Sequence, residues 1–166
     1  MRAAFEQRLL ALSNAHTILT RTNWESANLR VIAEHALVPF AVDGRASRFE
    51  IHGDDLALAP QPALALAMAM HELASNAVKY GALSTEPGRV GLTWYTADEW
   101  LHLTWREMGG PPVAPPARRG FGSRLLERGL ASELRGDVSL DYPADGVVCT
   151  IRVPIGQNKE AEIANG

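Results

Sequence analysis

The stretch His71–Gly81 reads HELASNAVKYG and belongs to a run rich in alanine, leucine and methionine that predicts one long helix from Pro62 to about Tyr80. At helical spacing, Glu72, Asn76 and Lys79 or Tyr80 fall on one face. A carboxylate and a carboxamide one turn apart offer the oxygen ligands that Mg²⁺ prefers, and the lysine is placed to meet phosphate charge. The alternative is a solvated helical face with one polar patch.

Two glycine-rich stretches follow this helix along the chain. Residues 105–112 (WREMGGPP) come after a predicted strand. Paired glycines there let a ligand approach the backbone, and a carboxylate can accept a hydrogen bond from the exocyclic amine of adenine. Residues 118–125 (RRGFGSRL) open a predicted helix, whose free amides and dipole favour a phosphate. A plain glycine–proline exit from a strand and a glycine-rich helix entry remain the alternatives.

The remaining pattern predicts hairpins and helices in an α+β arrangement, not a parallel sheet. Period-2 alternation predicts strands over 48–52, 89–95, 100–106, 138–142 and 147–153, with turns at 53–55, 96–99 and 143–146. A further helix is predicted over 122–134, stopped by Gly136. We divide the chain into a helical segment over 1–40, a main domain over 41–156 and a disordered tail over 157–166.

The N-terminal segment predicts two helices within residues 5–37. The first carries a narrow apolar stripe of coiled-coil type, formed by Phe5, Leu9, Leu12, His16 and Leu19. The sequence TNWE at 22–25 has the pattern of a capping box and predicts the start of the second helix, which ends before Pro39. Its inward residues are expected to be Leu29, Ile32, Ala36 and Leu37.

Composition excludes several classes of protein. A net charge of −3 gives no electrostatic argument for nucleic acid as a partner. The single cysteine, Cys149, excludes an internal disulfide and a cysteine-based metal site. No apolar run approaches the ~20 residues that cross a bilayer, and Glu6 and Arg8 interrupt any signal-like region. We therefore expect a cytoplasmic protein with no membrane segment.

The order of polar helix, carboxylate–Gly–Gly strand end, loop and Gly-x-Gly helix entry resembles the ATP-binding domain shared by histidine kinases, DNA gyrase and MutL, the Bergerat or GHKL fold. The chain most resembles the HWE subfamily of bacterial sensor histidine kinases. That family is named for a His in its N box and a Trp-x-Glu in its first glycine box, here His71 and Trp105-Arg106-Glu107. The resemblance runs from about Phe5 to Ile155. It implies a two-layer α/β sandwich, with a mixed, mostly antiparallel sheet and helices on one face, preceded by an N-terminal helical segment.

The resemblance also implies roles for the helix residues. Asn76 would ligate Mg²⁺, and Glu72 would sit beside it, on a metal-bound water or polarising the reacting groups. Lys79 would face the phosphates, and Tyr80 would help to wall the nucleotide. His71 marks the family, and a catalytic role and a role as a core or hydrogen-bonding histidine both remain open.

The resemblance also implies roles for the two glycine-rich stretches. Glu107 would contact the adenine N6 amine, with Gly109 and Gly110 making room for the ring. Residues 111–119 would form a short ATP lid. The phosphate end of the site would be formed by the lid arginines and the second glycine box, namely Arg118, Arg119, Gly120, Gly122 and Ser123.

In this family the phosphoacceptor histidine lies on the first helix of a dimerisation hairpin. Residues 1–40 resemble the second hairpin helix and the linker helix, so we expect no phosphoacceptor in this chain. His16 is not expected to be the acceptor, and the chain alone is not expected to autophosphorylate.

Three functions follow as hypotheses. The first is the ATP–Mg²⁺-binding catalytic part of an HWE-type sensor histidine kinase. It would transfer the γ-phosphoryl group to a histidine on an acceptor helix, and the phosphoryl group would then pass to a response regulator. Formation of a homodimer through the N-terminal helix is a further open alternative. The second is a non-catalytic nucleotide-binding module that docks a partner helix through the Phe5–Leu19 stripe. The third, an anti-sigma-factor serine kinase, is disfavoured by the Trp-x-Glu box.

Overall fold

A computed structural model describes residues 27–41, 48–112 and 129–155 of the chain. Its strands are β1 (Ala27–Asn28), β2 (Phe49–Gly53), β3 (Ala57–Leu58), β4 (Arg89–Ala97), β5 (Trp100–Met108), β6 (Asp137–Asp141) and β7 (Val148–Pro154). Its α-helices are α1 (Leu29–Leu37), α2 (Pro60–Lys79) and α3 (Ala131–Leu134). Two 3₁₀ turns, Val38–Phe40 and Ala82–Ser84, follow α1 and α2.

Five strands form the main sheet in the order β2-β4-β5-β7-β6. The β2–β4 pair is parallel, and the other three pairs are antiparallel. Strands β1 and β3 form a separate two-stranded antiparallel ladder. The predicted mixed, mostly antiparallel sheet is therefore confirmed.

The hydrophobic core lies between the helices and one face of this sheet. Successive strand side chains point to opposite faces, so every second residue of the central strands is buried. The buried apolar residues of these strands are Val90, Leu92, Trp94, Leu101, Leu103, Trp105, Cys149, Ile151 and Val153. They form one cluster with the buried residues of all three helices, which makes a two-layer α+β sandwich.

Helix α1 belongs to this core. Leu29, Ile32 and Leu37 are almost fully buried and share the cluster with α2 and the sheet. Ala33 is buried as well, whereas Ala36, predicted to point inward, is only partly buried. The predicted division after residue 40 stays a prediction, but it would separate residues that pack together.

The predicted start of this helix is wrong. Ala27 and Asn28 pair with β3, so a helix cannot run continuously from the 22–25 stretch. Helix α1 instead begins at Leu29, where the Asn28 side chain accepts hydrogen bonds from the Arg30 and Val31 amides. Long-range strand pairing thus overrides a local capping pattern.

One further boundary differs from the prediction. The β4–β5 hairpin closes with only Asp98 and Glu99, whose φ angles are 52° and 65°. Helix α3 ends at Leu134 as predicted, and Arg135 follows it in the left-handed region, at φ 54°. At Gly136 a Cβ would lie 1.8 Å from the Arg152 carbonyl oxygen, which accounts for the glycine.

Within the described ranges, no helix combines the length and apolarity needed to cross a membrane.

The hairpin turn gives a stability prediction. Both turn residues have positive φ, as in a type I′ turn, and a side chain is unfavourable in that region. We expect Glu99→Gly to raise the free energy of unfolding by about 0.5–1 kcal/mol. The matched control is Ala97→Gly, on the last residue of β4, which should lower it because glycine weakens a strand. Urea unfolding of the three proteins checks this, and equal destabilisation by both substitutions would contradict it.

Candidate functional site

The polar face predicted for the long helix exists in α2. Glu72 and Asn76 are half-buried, and Lys79 is exposed at the end of the helix. Tyr80 follows the helix and is 76% exposed, which leaves most of its ring available to a ligand. Leu73, between the two polar positions in sequence, is buried in the core instead. The structure therefore places the four predicted residues along the accessible side of one helix.

The end of α2 meets the first glycine box directly. The helix ends with the Gly81 amide donating to the Asn76 and Ala77 carbonyls. The next amide, that of Ala82, donates to Oε1 of Glu107 at 2.9 Å. A Cβ at Gly81 would lie 2.0 Å from the same oxygen, so a side chain there would displace the carboxylate from this position. Two motifs far apart in sequence are thus joined by one hydrogen bond.

The Glu107 carboxylate is buried and held at both oxygens. Its residue is 4% exposed, on the inner face of β5. The indole Nε1 of Trp105 donates to Oε2 at 3.2 Å. Burial raises the pKa of Glu107, and the hydrogen bonds from Ala82 and Trp105 oppose that increase because they favour the ionised form.

The two glycines of the first glycine box lie against the turn that follows α2. A Cβ at Gly110 would be 2.5 Å from the Ala82 Cα. Gly109 has a φ of 72°, in the left-handed region, next to Pro87 and Gly88. These glycines let the β5 exit and the 82–88 segment pack at backbone distance.

Arg48 also holds this segment, although it belongs to none of the motifs in the sequence. Its Nε donates to the Gly88 carbonyl at 2.6 Å, and its Nη2 donates to the Ala82 carbonyl at 3.1 Å and to the Thr85 carbonyl. A guanidinium is suited to this role because its donors form a rigid fork. An arginine at the start of a predicted strand carries no local signal for such a contact.

His71 lies apart from the polar face. It is 5% exposed, and its ring meets that of Phe40 edge-on with centroids 5.0 Å apart. Asn76 is five residues away, about 140° around the helix axis. This packing favours the core interpretation of His71 over the catalytic one.

The donor set at the helix face suits a magnesium ion bound mainly by nucleotide and water. In the ranges that the structure describes, no group of three or more His, Cys, Asp or Glu side chains could hold a metal alone. Mg²⁺ commonly takes one or two protein oxygens and completes its shell with phosphates and waters. Glu72 and Asn76 fit that requirement by type and spacing.

Several predicted features lie outside the described residues. They are the Phe5–Leu19 stripe with His16, the C-terminal tail, most of the lid, and the second-glycine-box residues Arg118, Arg119, Gly120, Gly122 and Ser123. Their predicted roles remain predictions.

Sequence comparisons relate the chain to histidine kinases. Residues 1–55 match the family model of the HWE histidine kinases. A blue-light-activated histidine kinase of Brucella ovis is 41% identical over 155 residues, which cover 91% of this chain. The Brucella anthropi protein of the same description is 40% identical over 156 residues. The chain spans only 32% of the length of the Brucella ovis protein.

Histidine kinases of known structure share this fold. The histidine kinase domain of the Erythrobacter litoralis EL346 blue-light-activated kinase superposes with a TM-score of 0.74 at 19% identity, covering 93% of this chain and 76% of that one. The catalytic domain of the histidine kinase ThkA gives a TM-score of 0.61 at 17% identity, covering 78% and 94%. The described architecture is therefore that of a histidine kinase catalytic domain.

The buried Glu107 carboxyl predicts a pH effect on stability. Burial raises its pKa in the folded state, so at pH values between the ordinary glutamate pKa and this raised pKa the folded protein holds a proton that the unfolded chain has already lost. The contribution of Glu107 to the free energy of unfolding is thus largest below the ordinary glutamate pKa and is lost as pH rises through the folded pKa. Glu107→Gln removes this titration, and its amide cannot accept from both N–H donors.

Urea unfolding of the wild type and Glu107→Gln at a series of pH values from 4 to 8 measures this effect. We expect the wild type to lose stability relative to the variant as pH rises. In the variant one N–H donor loses its acceptor, and this lowers the free energy of unfolding by an amount that does not depend on pH. A stability difference that is constant, or that changes in the opposite direction, would contradict the raised pKa.

Proposed function

This chain belongs to the HWE histidine kinase family, and on that premise we propose that it is the ATP–Mg²⁺-binding catalytic domain of a bacterial two-component sensor histidine kinase. In this proposal it transfers the γ-phosphoryl of ATP to a histidine on an acceptor helix. The structural observation that supports it best is the junction of the α2 polar face with Glu107, Gly109 and Gly110.

The geometry gives each end of a nucleotide a suitable environment. Glu107, at the junction of α2 and β5, offers carboxylate oxygens to the adenine amine. Asn76 and Glu72, one and two turns back from the end of α2, offer oxygens to Mg²⁺ beside the phosphates. Lys79 is exposed and carries the positive charge that a triphosphate requires. Tyr80 is exposed between these regions and can cover the nucleotide.

Catalysis in this proposal consists mainly of positioning and charge stabilisation. Phosphoryl transfer spreads negative charge over the transferred group, so a kinase gains most by aligning donor and acceptor. Bound Mg²⁺ supplies charge neutralisation at the phosphates. Asn76 orients that end of the nucleotide, and Glu72 can hold a metal-bound water or polarise the reacting groups.

The proposed partners follow from the family. ThkA was solved in complex with the response regulator protein TrrA. We propose that a response regulator likewise accepts the phosphoryl group from the histidine served by this domain. The N-terminal segment would supply contacts to the acceptor helix, and the domain would work in the cytoplasm.

Calorimetric titration with Mg–ATP tests nucleotide binding. We expect Asn76→Ala to weaken binding by about tenfold or more, because it removes a metal ligand. The matched control is Gln61→Ala, which removes an exposed carboxamide from the first turn of the same helix and should leave affinity unchanged. Absence of binding to the folded wild type at millimolar nucleotide would refute the proposal.

A phosphotransfer assay separates the kinase from the alternative, a nucleotide-binding module without catalysis. The protein is mixed with labelled ATP and a full-length partner kinase or its acceptor-helix peptide. Labelling of the acceptor that disappears with Asn76→Ala supports the kinase. Binding of ATP without any transfer favours the module.

A further inference from the structure

The proposed function leaves Trp105 without a role, although it is fully buried and hydrogen-bonded to the site. From its geometry we infer that Trp105 is a positioning residue that holds the Glu107 carboxylate for the exocyclic amine of adenine and thereby sets selectivity for adenine over 6-oxopurines. This inference rests on the proposed nucleotide-binding function. It concerns which base is accepted, not whether a nucleotide binds.

The orientation of the Glu107 carboxylate is set by two hydrogen bonds. The terminal torsion of a glutamate is broad, so one hydrogen bond leaves the group free to rotate. Here two donors come from different elements: the Ala82 amide after α2 holds Oε1, and the Trp105 indole on β5 holds Oε2. With both oxygens held, the plane of the carboxylate is fixed.

The Trp105 indole is held rigidly by its packing in the core. Trp105 and Glu107 are two residues apart on β5 and therefore point to the same face of the sheet. Trp105 has 0% exposure and packs near Phe49, with ring centroids 6.4 Å apart. A side chain packed this closely cannot leave its rotamer without opening the core. Its N–H therefore acts as a fixed donor.

Charge and acceptor capacity together suit Glu107 to an amine. Burial raises its pKa, but the indole and the amide can only donate, so both favour a carboxylate that carries no proton. An ionised carboxylate has about four lone-pair sites, of which these donors use two. In the ionised form, the remaining sites can accept hydrogen bonds only. They match the amine at position 6 of adenine and repel the carbonyl oxygen that inosine and guanine carry there.

The chain provides a matched pair of substitutions. Trp105→Phe keeps an aromatic ring in the core and deletes the N–H that holds Glu107. Trp94→Phe makes the same change on the same face of the sheet, where the indole of a 4%-exposed tryptophan donates to the Asp54 carbonyl at 2.8 Å. Both variants lose one indole hydrogen bond and a similar volume, but only the first loses a contact with Glu107.

The experiment titrates the wild type and both variants with Mg–ATP and with Mg–inosine triphosphate. We expect Trp105→Phe to reduce the ratio of ATP affinity to inosine triphosphate affinity by about tenfold, as for loss of one hydrogen bond to a charged group. Trp94→Phe should leave the ratio at its wild-type value. An unchanged ratio in folded Trp105→Phe, or equal weakening of both nucleotides, overturns the inference.

A second measurement needs no core substitution. In the ¹⁵N–¹H spectrum of the wild type, we expect the Trp105 indole resonance to shift on adding Mg–ATP more than on adding Mg–inosine triphosphate, and the Trp94 indole resonance to show no such difference. A Trp105 resonance that does not respond to ATP overturns the inference even if Trp105→Phe fails to fold. Wild type that binds neither nucleotide refutes the proposed function as well, whereas ATP binding with an unresponsive indole refutes only this inference.

Discussion

The hydrogen bond from the Ala82 amide to the buried Glu107 carboxylate is the contact on which the rest of the site depends. It fixes the end of α2 against β5, and with it the direction in which the polar face of the helix points. An unpaired carboxylate at this depth would cost several kilocalories per mole, so the amide and the Trp105 indole are required partners rather than additions. The surrounding backbone is shaped by the need to bring these groups together.

The glycines near this contact follow from it. Gly81 must lack a side chain because the Glu107 carboxylate occupies the space where a Cβ would lie. Gly110 must lack one because the turn carrying the Ala82 amide approaches the β5 exit at backbone distance. Arg48 completes the arrangement by donating to carbonyls of the 82–88 segment, including that of Ala82, so the residue that supplies the donor amide is held through both its N–H and its C=O groups.

The protonation state of Glu107 is subject to two opposing effects, as is common at functional sites. Burial favours a neutral Glu107, while its two N–H donors favour an ionised one. A structural core would avoid the cost with an apolar residue, as β5 does at its other inward positions and as β4 and β7 do at theirs. Retaining a charged acceptor here is reasonable if a ligand supplies a third donor. The residues after which the HWE family is named lie in different surroundings. His71 packs beside Phe40, whereas Trp105 and Glu107 form one hydrogen-bonded unit.

The sequence by itself determined the α+β class, the hairpins, the long helix and the shared face of Glu72 and Asn76, because period and spacing along one element decide these. Tertiary structure alone decided that α1 begins after a strand pair at Asn28 rather than at a capping pattern, that His71 packs in the core, and that Arg48 clamps the 82–88 turn. It also decided that Trp105 and the Ala82 amide share the Glu107 carboxylate. The physical reason is range: periodicity reports which side of an element is apolar, whereas these contacts join residues whose approach depends on how separate elements pack.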